Sequence, residues 1–363
     1  MNYNLFKGKK VLVTGHTGFI GSWSTRWLIE LGAEIMGFSL DPPSIPNLYN
    51  ILNIVNQIEE TRVDVTDEDS LRNAIIEFQP EIVFHLAAQP LVLESYNNPK
   101  KTFETNVMGT VNLLECLRKT GSVKTIIVMT SDKVYRNDEK AGMFVETDPL
   151  GGLDPYSASK SSQDVVVNSF RQSYFSKNGV SVSSVRAGNV IGGGDWGKDR
   201  LIPDIVRGLT TNNHFTLRNP ESTRPWQYVL DLISGLFHLA WKMQGDVTFG
   251  ADWNFGPLSS QFITVREIAE KAISIFGTGE YSVVRSNTRK EATYLRLDSN
   301  KARRSLSWLP RYDFDSGLTE TLAWYKKYYQ RSEEMDTYTK SLINRYVEIL
   351  DVIENHTESG LKV

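Results

Sequence analysis

Hydrophobic residues follow two alternating patterns through the first half of the chain. Short unbroken apolar runs are typical of strands buried on both faces, and apolar positions spaced three to four residues apart are typical of helices. The runs predict strands over Lys10–Thr14, Glu34–Phe38, Thr61–Val63, Ile82–Leu86, Thr125–Met129 and Val182–Arg186. The spaced positions predict helices over Ser22–Leu31, Asp67–Phe78 and Val107–Lys119. Gly32 follows the first helix as a C-cap would, and Thr66 precedes the second as an N-cap. This alternation predicts βαβ units with right-handed crossovers around a parallel sheet.

The second half contains fewer strand signals and more loops. Its predicted features are a glycine-rich loop over Gly192–Gly194, a polar loop over Asn219–Pro225, a strand over Trp253–Phe255 and helices over Val265–Phe276 and Leu318–Tyr329. We therefore predict an α/β fold: a Rossmann-like, doubly wound parallel sheet with a smaller C-terminal α/β substrate domain. The predicted units are 1–187, 188–330 and a helical surface tail over 331–363, with segments near 226–256 returning to the first unit.

Composition excludes several classes of protein. With 40% hydrophobic and 23% charged residues, the chain has enough apolar material for a folded core. A net charge of −3 argues against nucleic-acid binding. The single cysteine, Cys116, excludes a disulfide framework and a cysteine-based zinc site, and we expect no metal. No apolar run reaches the ~18 residues of a membrane span, and the polar, basic segment Met1–Lys10 predicts no signal peptide. We expect a cytoplasmic protein.

A glycine-rich turn connects the first strand to the first helix. Its glycines, Gly15, Gly18 and Gly21, stand in the segment Gly15-His16-Thr17-Gly18-Phe19-Ile20-Gly21. Glycine lets backbone approach a pyrophosphate, and a helix N-terminus offers free N–H groups and a positive dipole end. The turn therefore predicts dinucleotide binding; the alternative is a tight turn without a ligand.

Residues after the next two strands indicate which dinucleotide binds. Asp41 follows Gly21 by 20 residues, and Ser39 lies nearer the end of the second strand, so either side chain can hold a ribose hydroxyl. No Arg or Lys follows directly to pair a 2′-phosphate, which favours NAD over NADP. Asp64, with Val65, is placed to contact the adenine; the alternative is a turn or capping role for Asp64 before Thr66.

Two polar groups predict a reactive site. Tyr156 and Lys160 are spaced to share one face of a helix, where an ammonium favours the phenolate. Ser131, Asp132 and Lys133 follow a buried strand, and the carboxyl ends of parallel strands are where open sheets bind ligands. The alternatives are two surface residues for the first group and a solvated polar turn for the second.

These motifs, together with His85-Leu86-Ala87-Ala88-Gln89, resemble the extended short-chain dehydrogenase/reductase family of nucleotide-sugar enzymes, and more narrowly its 4,6-dehydratases. The resemblance runs from about Lys7 to about Tyr325; Gly188–Trp196 and Arg224–Gln227 are its most specific segments. It implies dehydration of a nucleotide sugar to a 4-keto-6-deoxy sugar, with hydride moving from C4 to NAD and returning at C6. CDP-glucose is the expected substrate, because dehydratases acting on it have Asp-Lys where others have Asp-Glu.

The resemblance also implies roles for individual residues. Tyr156 takes the 4-hydroxyl proton, Ser131 hydrogen-bonds that oxygen, and Lys160 holds the cofactor ribose and lowers the Tyr156 pKa. Asp132 is the acid and Lys133 the base of the elimination. Leu86, Ala87, Ala88, Gln89 and Asn106 belong to the cofactor site, and Gln89 also to the substrate site. The other implied substrate contacts are Asn189, Arg200, Leu201, Arg218, Arg224, Glu291 and Tyr294; for the arginines the alternative is solvated surface charge.

Three positions depart from the closest members of that family. Ile20 stands where Lys often occurs, Leu93 where Arg often occurs and Val134 where Cys is common, so another nucleotide sugar stays open as the substrate. A 4-epimerase and a non-catalytic NAD-bound sensor also stay open as alternatives. The family's dimer packs two helices against their copies, here Val107–Lys119 and Ser157–Phe175. The expected assembly is a homodimer, or a tetramer built from two dimers.

Overall fold

A parallel sheet buried on both faces lies at the centre of the chain, in a computed structural model that describes residues 3–137, 142–257, 263–284 and 295–358. Val11 and Val13 of the first strand pack into one hydrophobic cluster, and Leu12 packs into another on the opposite face. This alternation follows from the two-residue period of a strand. The strands are β1 Lys10–Thr14, β2 Glu34–Ser39, β3 Glu59–Arg62, β4 Ile82–His85, β5 Thr125–Met129, β6 Ser181–Ala187, β7 Asn189–Ile191, β8 His214–Leu217, β9 Trp226–Tyr228, β10 Asp252–Phe255 and β11 Glu280–Val283.

Helices cover both faces of this sheet. They are α1 Phe19–Glu30, α2 Leu48–Ile51, α3 Glu68–Phe78, α4 Val92–Asn97, α5 Pro99–Phe103, α6 Gly109–Leu117, α7 Pro155–Phe170, α8 Leu201–Thr211, α9 Val229–Gly245, α10 Val265–Phe276, α11 Phe314–Gln330 and α12 Met335–Glu358. One face packs on α1 and α9, and the other on α3, α6 and α7. Single π-helical turns over Glu104–Met108 and Arg171–Phe175 precede α6 and follow α7.

The sheet order is β10-β6-β5-β4-β1-β2-β3, and within the described residues every neighbouring pair is parallel. This confirms the predicted doubly wound α/β fold. β10 returns to the central sheet beside β6, whereas β9 pairs with β7 and β11 with β8 outside it. The division into units 1–187, 188–330 and 331–363 stays a prediction. No helix in the described ranges combines the length and apolar character needed to cross a bilayer.

Several predicted boundaries were wrong for local reasons. The cap of α3 is Asp67, whose side chain accepts from Ser70 N, and Thr66 instead donates to Asp64. The third strand begins at Glu59 rather than Thr61, because an edge strand tolerates the charged residues that hide it from a search for apolar runs. The first helix begins at Phe19, so Gly21 lies inside its first turn.

The C-terminal helix α12 is docked rather than lying loosely on the surface. Its Tyr346 is fully buried and donates a hydrogen bond of 2.6 Å to Asp231 Oδ1 in α9. Asp231 Oδ1 also accepts from Arg311 N at 2.6 Å. At the N-terminal end of α12, Asp336 Oδ1 lies 2.9 Å from Arg26 Nε of α1. The predicted surface helix is therefore fixed to both α1 and α9.

In the wild type, ionisation of the buried Asp231 is expected to lower the free energy of unfolding as pH rises. In the Asp231→Asn variant this fall is expected to be smaller. Burial raises the pKa of Asp231 to about 7, so the folded chain keeps a proton that the unfolded chain releases near its ordinary pKa of about 4. The free energy of unfolding therefore falls between about pH 4 and about pH 7, by on the order of 2–4 kcal/mol. Thermal unfolding of both proteins at about pH 5 and about pH 8 measures the difference, since other titrating groups are common to both. Equal pH dependence in the two proteins would contradict it.

Candidate functional site

The glycine-rich loop fits between β1, β4 and α1 only because two of its glycines, Gly15 and Gly21, have no side chain. Gly15 has a φ of 75°, and a Cβ there would lie 2.6 Å from Ala87 N. A Cβ on Gly21 would overlap the carbonyl of Gly15. Gly18 is more open, because a Cβ there would meet only Gly15 O at 3.4 Å. Gly18 precedes α1 and no side chain caps that helix, so its first N–H groups are available to an anion.

His16 and Thr17 fix this loop from behind. His16 Nε2 lies 2.8 Å from Glu60 Oε2, and the ring packs against Gly37. Burial lowers the pKa of His16, against the opposing effect of Glu60. Thr17 Oγ1 donates to Leu40 O at 2.9 Å and lies 2.8 Å from Ser39 Oγ. The His16 side chain therefore faces β2 and β3, while Thr17 and Ser39 join the loop to the end of β2.

An arginine lies beside the predicted ribose position, although none follows β2 in sequence. Arg62, at the end of β3, has Nη1 3.5 Å from the exposed carboxylate of Asp41. Its Nε donates to Glu60 Oε1 at 3.0 Å. Arg62 was not predicted from the sequence, because it lies 23 residues after Ser39 and not directly after β2. Parallel pairing brings Ser39 and Arg62 into register.

Asp64 has protein partners for both carboxylate oxygens. Oδ1 accepts from Thr66 N at 2.9 Å, and Oδ2 accepts from Lys101 Nζ at 2.7 Å. Burial opposes ionisation, but the hydrogen bonds from Lys101 and Thr66 lower the pKa of Asp64. The neighbouring Val65 is buried, and a Cβ on Gly109 would lie 2.5 Å from its Cγ1. Asp64 therefore takes part in the turn after β3, and its contact with the adenine stays a prediction.

Ser131, Asp132 and Lys133 lie in a short 3₁₀ turn, Asp132–Val134 with its cap Ser131, directly after β5. Ser131 Oγ accepts from Lys133 N at 3.2 Å and donates to Asp132 Oδ1 at 3.0 Å. Lys133 Nζ lies 3.5 Å from the same carboxylate oxygen. Asp132 Oδ2 is buried and has no hydrogen-bond partner among the described residues. The carboxyl group thus has one oxygen bound and one buried oxygen that can take a proton.

Helix α7 brings Tyr156 to this turn. Asp154 caps α7 by accepting from Ser157 N at 3.0 Å. Ser161 Oγ donates to Val134 O at 2.7 Å, which holds the helix against the turn. The Ser131 side chain lies close enough to the Tyr156 phenol to lower its pKa. One hydroxyl, one phenol, one carboxyl and one amine are therefore together at the carboxyl end of β5, as the sequence predicted.

Burial and neighbouring charges act on the Tyr156 phenol in opposite directions. Burial raises the pKa of Tyr156, and the largest opposing effects come from Lys133, Ser131 and Arg200 rather than from Lys160. Lys160 is itself buried, which lowers its pKa to about 7. Its Nζ donates to Gln163 Oε1 at 2.9 Å and to Met129 O at 3.3 Å. Lys160 is thus held by α7 and β5, and its effect on the Tyr156 pKa stays a prediction.

Among the predicted substrate residues, Arg200 is the one the structure ties to Tyr156. It caps α8, its Nη1 lies 2.7 Å from Asp195 Oδ2, and it lowers the Tyr156 pKa. Arg218 lies 3.0 Å from Asp199 Oδ1 and is 59% exposed, and Arg224 donates to Thr223 O. Asn189 begins β7 opposite Trp226, and Leu201 begins α8. Glu291 and Tyr294 lie outside the described residues.

The segment after β4 is braced by Asn106. Its Oδ1 accepts from Gln89 N at 2.8 Å, and its Nδ2 donates to Ser159 Oγ at 2.9 Å. Gln89 Nε2 donates to Thr102 Oγ1 at 2.9 Å. Leu86 N donates to Thr14 O, Ala87 packs against the second hydrophobic cluster, and Ala88 is half-buried. Phe19 and Ile20 are half-buried against the core. Asn106 therefore connects this segment to α7.

Asp195 is the partner of Arg200 that sequence reasoning missed. It lies within Gly188–Trp196, a segment noted only for its specificity. Its Oδ1 also accepts from Gly197 N at 2.9 Å, and Tyr325 donates to its carbonyl oxygen. The described ranges contain no group of three or more His, Cys, Asp or Glu residues suited to a metal ion.

A glycine loop on a parallel sheet, with Ser, Tyr and Lys at its carboxyl end, defines the class of short-chain dehydrogenases/reductases. The sequence pattern of the GDP-mannose 4,6 dehydratase family matches residues 12–321. The chain is 45% identical over 355 residues to CDP-glucose 4,6-dehydratase of Salmonella typhimurium, covering 95% of this chain and 98% of that protein. It belongs to this family of nucleotide-sugar 4,6-dehydratases.

Solved structures share the same fold. One is dTDP-glucose 4,6-dehydratase from Bacillus anthracis in complex with NAD, with a TM-score of 0.75 and 25% identity over 89% of this chain and 98% of that one. Another is UDP-glucose 4-epimerase from Thermotoga maritima with UDP-glucose, with a TM-score of 0.77 and 26% identity over 88% of this chain and 99% of that one. The fold therefore serves both reactions, and the site residues must distinguish them.

Proposed function

We propose that the protein is an NAD-dependent CDP-glucose 4,6-dehydratase. The observation that carries the proposal is the Asp132–Lys133 pair, which lies in the same buried turn as Ser131 and beside Tyr156. Oxidation at C4 needs only Ser131, Tyr156 and Lys160, whereas loss of water also needs an acid and a base. Similarity to the Salmonella enzyme supports CDP-glucose as the substrate.

The cofactor site fits a dinucleotide. A Cβ at Gly15 or Gly21 would fill the loop, and α1 begins there without a side-chain cap. The pyrophosphate binds at this helix N-terminus, Ser39 and Asp41 hold the adenosine ribose, and Lys160 holds the nicotinamide ribose. Arg62 is engaged by Glu60 and Asp41, which supports NAD rather than NADP. Bound NAD supplies the hydride acceptor at C4 and the donor at C6.

Tyr156 and Ser131 act on the 4-hydroxyl group. Ser131 donates to the sugar oxygen and Tyr156 Oη removes its proton. Burial raises the pKa of Tyr156, so the neighbouring charges of Lys133 and Arg200 are what favour the phenolate. In this site Lys133 therefore contributes to the oxidation as an ammonium. Its side chain is 31% exposed, so it releases that proton to solvent before its neutral amine acts as the base of the elimination.

Asp132 and Lys133 act at C5 and C6 of the hexose. Once C4 is a ketone, the C5 proton is acidic; Lys133 Nζ removes it and Asp132 donates a proton to the departing 6-hydroxyl. The buried, unpartnered Asp132 Oδ2 provides the oxygen that can carry this proton.

Arg200 binds the pyrophosphate of the substrate. Asp195 fixes its guanidinium, which leaves a planar set of donors near Tyr156. The proposed substrate site further includes Asn189 of β7, Leu201 of α8, Arg218 directly after β8 and Arg224 before β9. Glu291 and Tyr294 complete the proposed set.

The test is incubation of the purified protein with NAD and CDP-, dTDP-, GDP- or UDP-glucose, followed by mass spectrometry. Loss of one water from CDP-glucose, at a rate well above that from the other three, is the expected result. A product of unchanged mass would favour a 4-epimerase. No change to any sugar would reject the enzyme function and leave the NAD-bound sensor.

We further propose a cytoplasmic homodimer. Phe103, Met108, Val165 and Tyr174 expose apolar surface on α5, α7 and the π-helical turns beside them, which is where a helical dimer interface is expected. Two dimers can associate as a tetramer. Sedimentation of the purified protein tests the assembly, and monomer alone at micromolar concentration would reject it. Fractionation of cells that express the chain tests the location.

A further inference from the structure

A chain of polar side chains crosses the core beneath the site. Lys160 and Gln163 lie on α7, Thr110 on α6, His85 on β4 and Thr14 on β1. All five are at most 2% exposed. Lys160 Nζ lies 2.9 Å from Gln163 Oε1, and Gln163 Nε2 lies 2.8 Å from Thr110 Oγ1. Buried polar groups are stable only when paired, so the pairing of each atom can be followed.

The chain continues through His85 to the segment after β4. Thr110 Oγ1 lies 2.9 Å from His85 Nε2, and His85 Nδ1 lies 2.7 Å from Thr14 Oγ1. Thr14 Oγ1 in turn accepts from Ala87 N at 3.3 Å. The same Ala87 backbone packs against Gly15 of the glycine loop. One end of the chain is therefore the Lys160 amine, and the other end lies against the loop for the pyrophosphate.

The inventory of donors and acceptors sets the direction of every bond. Thr110 Oγ1 has one hydrogen, which it donates to Asn106 O at 2.8 Å. It must therefore accept from both Gln163 Nε2 and His85 Nε2. His85 is then protonated at Nε2 and accepts from Thr14 at Nδ1, which leaves Thr14 to accept from Ala87. Burial and the charge of Lys160 lower the pKa of His85 to about 3, so the ring stays neutral.

We propose that Gln163, Thr110 and His85 are positioning residues of the cofactor site, which they serve by joining Lys160 to the Ala87 backbone through one directed chain of buried hydrogen bonds. This rests on the proposed function in that Lys160 is assigned there to NAD; Ala87 belongs to it through its contact with Gly15 of the glycine loop. Gln163 Oε1 and Met129 O take two of the three hydrogens of a Lys160 ammonium. The third is directed to the nicotinamide ribose.

Apolar residues in place of Gln163, Thr110 and His85 would have a lower free-energy cost of burial. They would, however, leave the Lys160 amine with one hydrogen-bond acceptor instead of two. Because Thr110 Oγ1 accepts from both sides, loss of Gln163 removes one of the two donors to the hydroxyl group that His85 also binds. The two ends of the site are thus coupled through a shared hydroxyl group. Residues in one such network are expected to have non-additive effects.

The test compares Gln163→Met, Thr110→Val and the double variant of the full chain. Each single variant is expected to weaken NAD binding, measured by calorimetry, by about tenfold. The double variant is expected to be no weaker than about the worse single variant, because both changes cut the same chain. The control is Thr125→Val, which removes a buried hydroxyl that has no hydrogen-bond partner among the described residues. It is expected to bind NAD as the wild type does.

Two further measurements separate positioning from packing. The Gln163→Met variant is expected to lower kcat for the nucleotide sugar by about tenfold and to leave its KM within about twofold. Nitrogen-15 NMR of histidine-labelled protein is expected to show His85 neutral and protonated at Nε2. A charged ring, protonation at Nδ1, or NAD binding unchanged in both single variants would overturn the proposal.

Failure of the proposed function would look different. NAD binding and the histidine spectrum need no turnover, so the pattern expected for the variants can hold in a protein that dehydrates no sugar. In that case the inference stands and the dehydratase is rejected. If the wild type dehydrates CDP-glucose but the variants bind NAD normally, the proposed function stands and the inference is rejected.

Discussion

Tyr156→Phe is expected to lower kcat for water loss by about a thousandfold. The substitution keeps the buried ring and removes the one group placed to take the 4-hydroxyl proton, since the neighbouring Ser131 hydroxyl is too weak a base to replace a phenolate. The first step, formation of the 4-keto sugar, is then lost with everything that depends on it. Mass spectrometry of the nucleotide sugar under saturating substrate measures the rate. NAD binding, measured by calorimetry, is expected to change by less than about threefold.

Tyr174→Phe is the matched control for this variant. Tyr174 lies in the π-helical turn after α7, is 44% exposed and stacks on Arg118 and Phe170 through its ring rather than its hydroxyl. Its loss of one oxygen is expected to leave the rate unchanged. A Tyr156→Phe enzyme that keeps more than about a tenth of wild-type activity would contradict the role of Tyr156.

Asp132→Asn and Lys133→Met are each expected to reduce water loss by a factor of about a hundred to a thousand, at different stages. With Asn at 132 the acid is lost but Lys133 still removes the C5 proton, so the ketone intermediate exchanges C5 hydrogen with solvent and keeps its oxygen at C6. With Met at 133 the base is lost, and neither exchange nor water loss occurs. Deuterium uptake at C5 in heavy water, read by mass spectrometry, separates the two.

The control for Lys133→Met is Lys124→Met, an exposed position just before the other end of β5, which is expected to behave as the wild type does. If Asp132→Asn abolished C5 exchange while Lys133→Met retained it, the two roles would be reversed. If both variants lost water at the wild-type rate, the elimination would have to use other residues and the proposed reaction would fail.

Lys133→Met has a second expected effect, on pH dependence. Lys133 makes the largest contribution that lowers the Tyr156 pKa. Without it that pKa rises, the phenolate forms at higher pH, and the acidic limb of the C4 oxidation rate shifts upward. Single-turnover oxidation measured across pH tests this shift, which Lys124→Met is not expected to cause.

The reactive group could be predicted because its spacing is local. Tyr156 and Lys160 are four residues apart on one helix, and Ser131, Asp132 and Lys133 are consecutive after a strand. Only the parallel sheet was needed to bring the two segments together, and the apolar runs indicated it. The glycine loop was predicted for the same reason, since its three glycines and the flanking strand and helix are adjacent in sequence.

Contacts between distant segments could not be predicted. The position of Arg62 beside Asp41 depends on the pairing of β2 with β3, and nothing around Arg62 marks it. Gln163 gave no signal because a polar residue on a helix usually faces water, whereas this one is buried between α6 and α7. The burial of Lys160, which lowers its pKa to about 7, could not be predicted from its spacing to Tyr156.

The tail shows what an amphipathic pattern predicts and what it leaves out. The pattern predicted a helix within 331–363, and α12 lies there over Met335–Glu358. A pattern of apolar residues does not say how deeply they are buried, and the Tyr346 hydroxyl gave no sign that it would bind a buried carboxyl group in α9. The partner, Asp231, lies far away in sequence.

The placement of β10 beside β6 has a consequence for biosynthesis. On the ribosome, Ser181–Ala187 emerges long before Asp252–Phe255, so one edge of the sheet stays open while the whole segment between them is synthesised. An unpaired edge can join a strand from another nascent chain. In a fragment ending at residue 187, the β6 edge of the sheet would stay unpaired permanently. We therefore expect the first unit to be poorly soluble when expressed alone, and the chain to depend on rapid completion or on chaperones during translation.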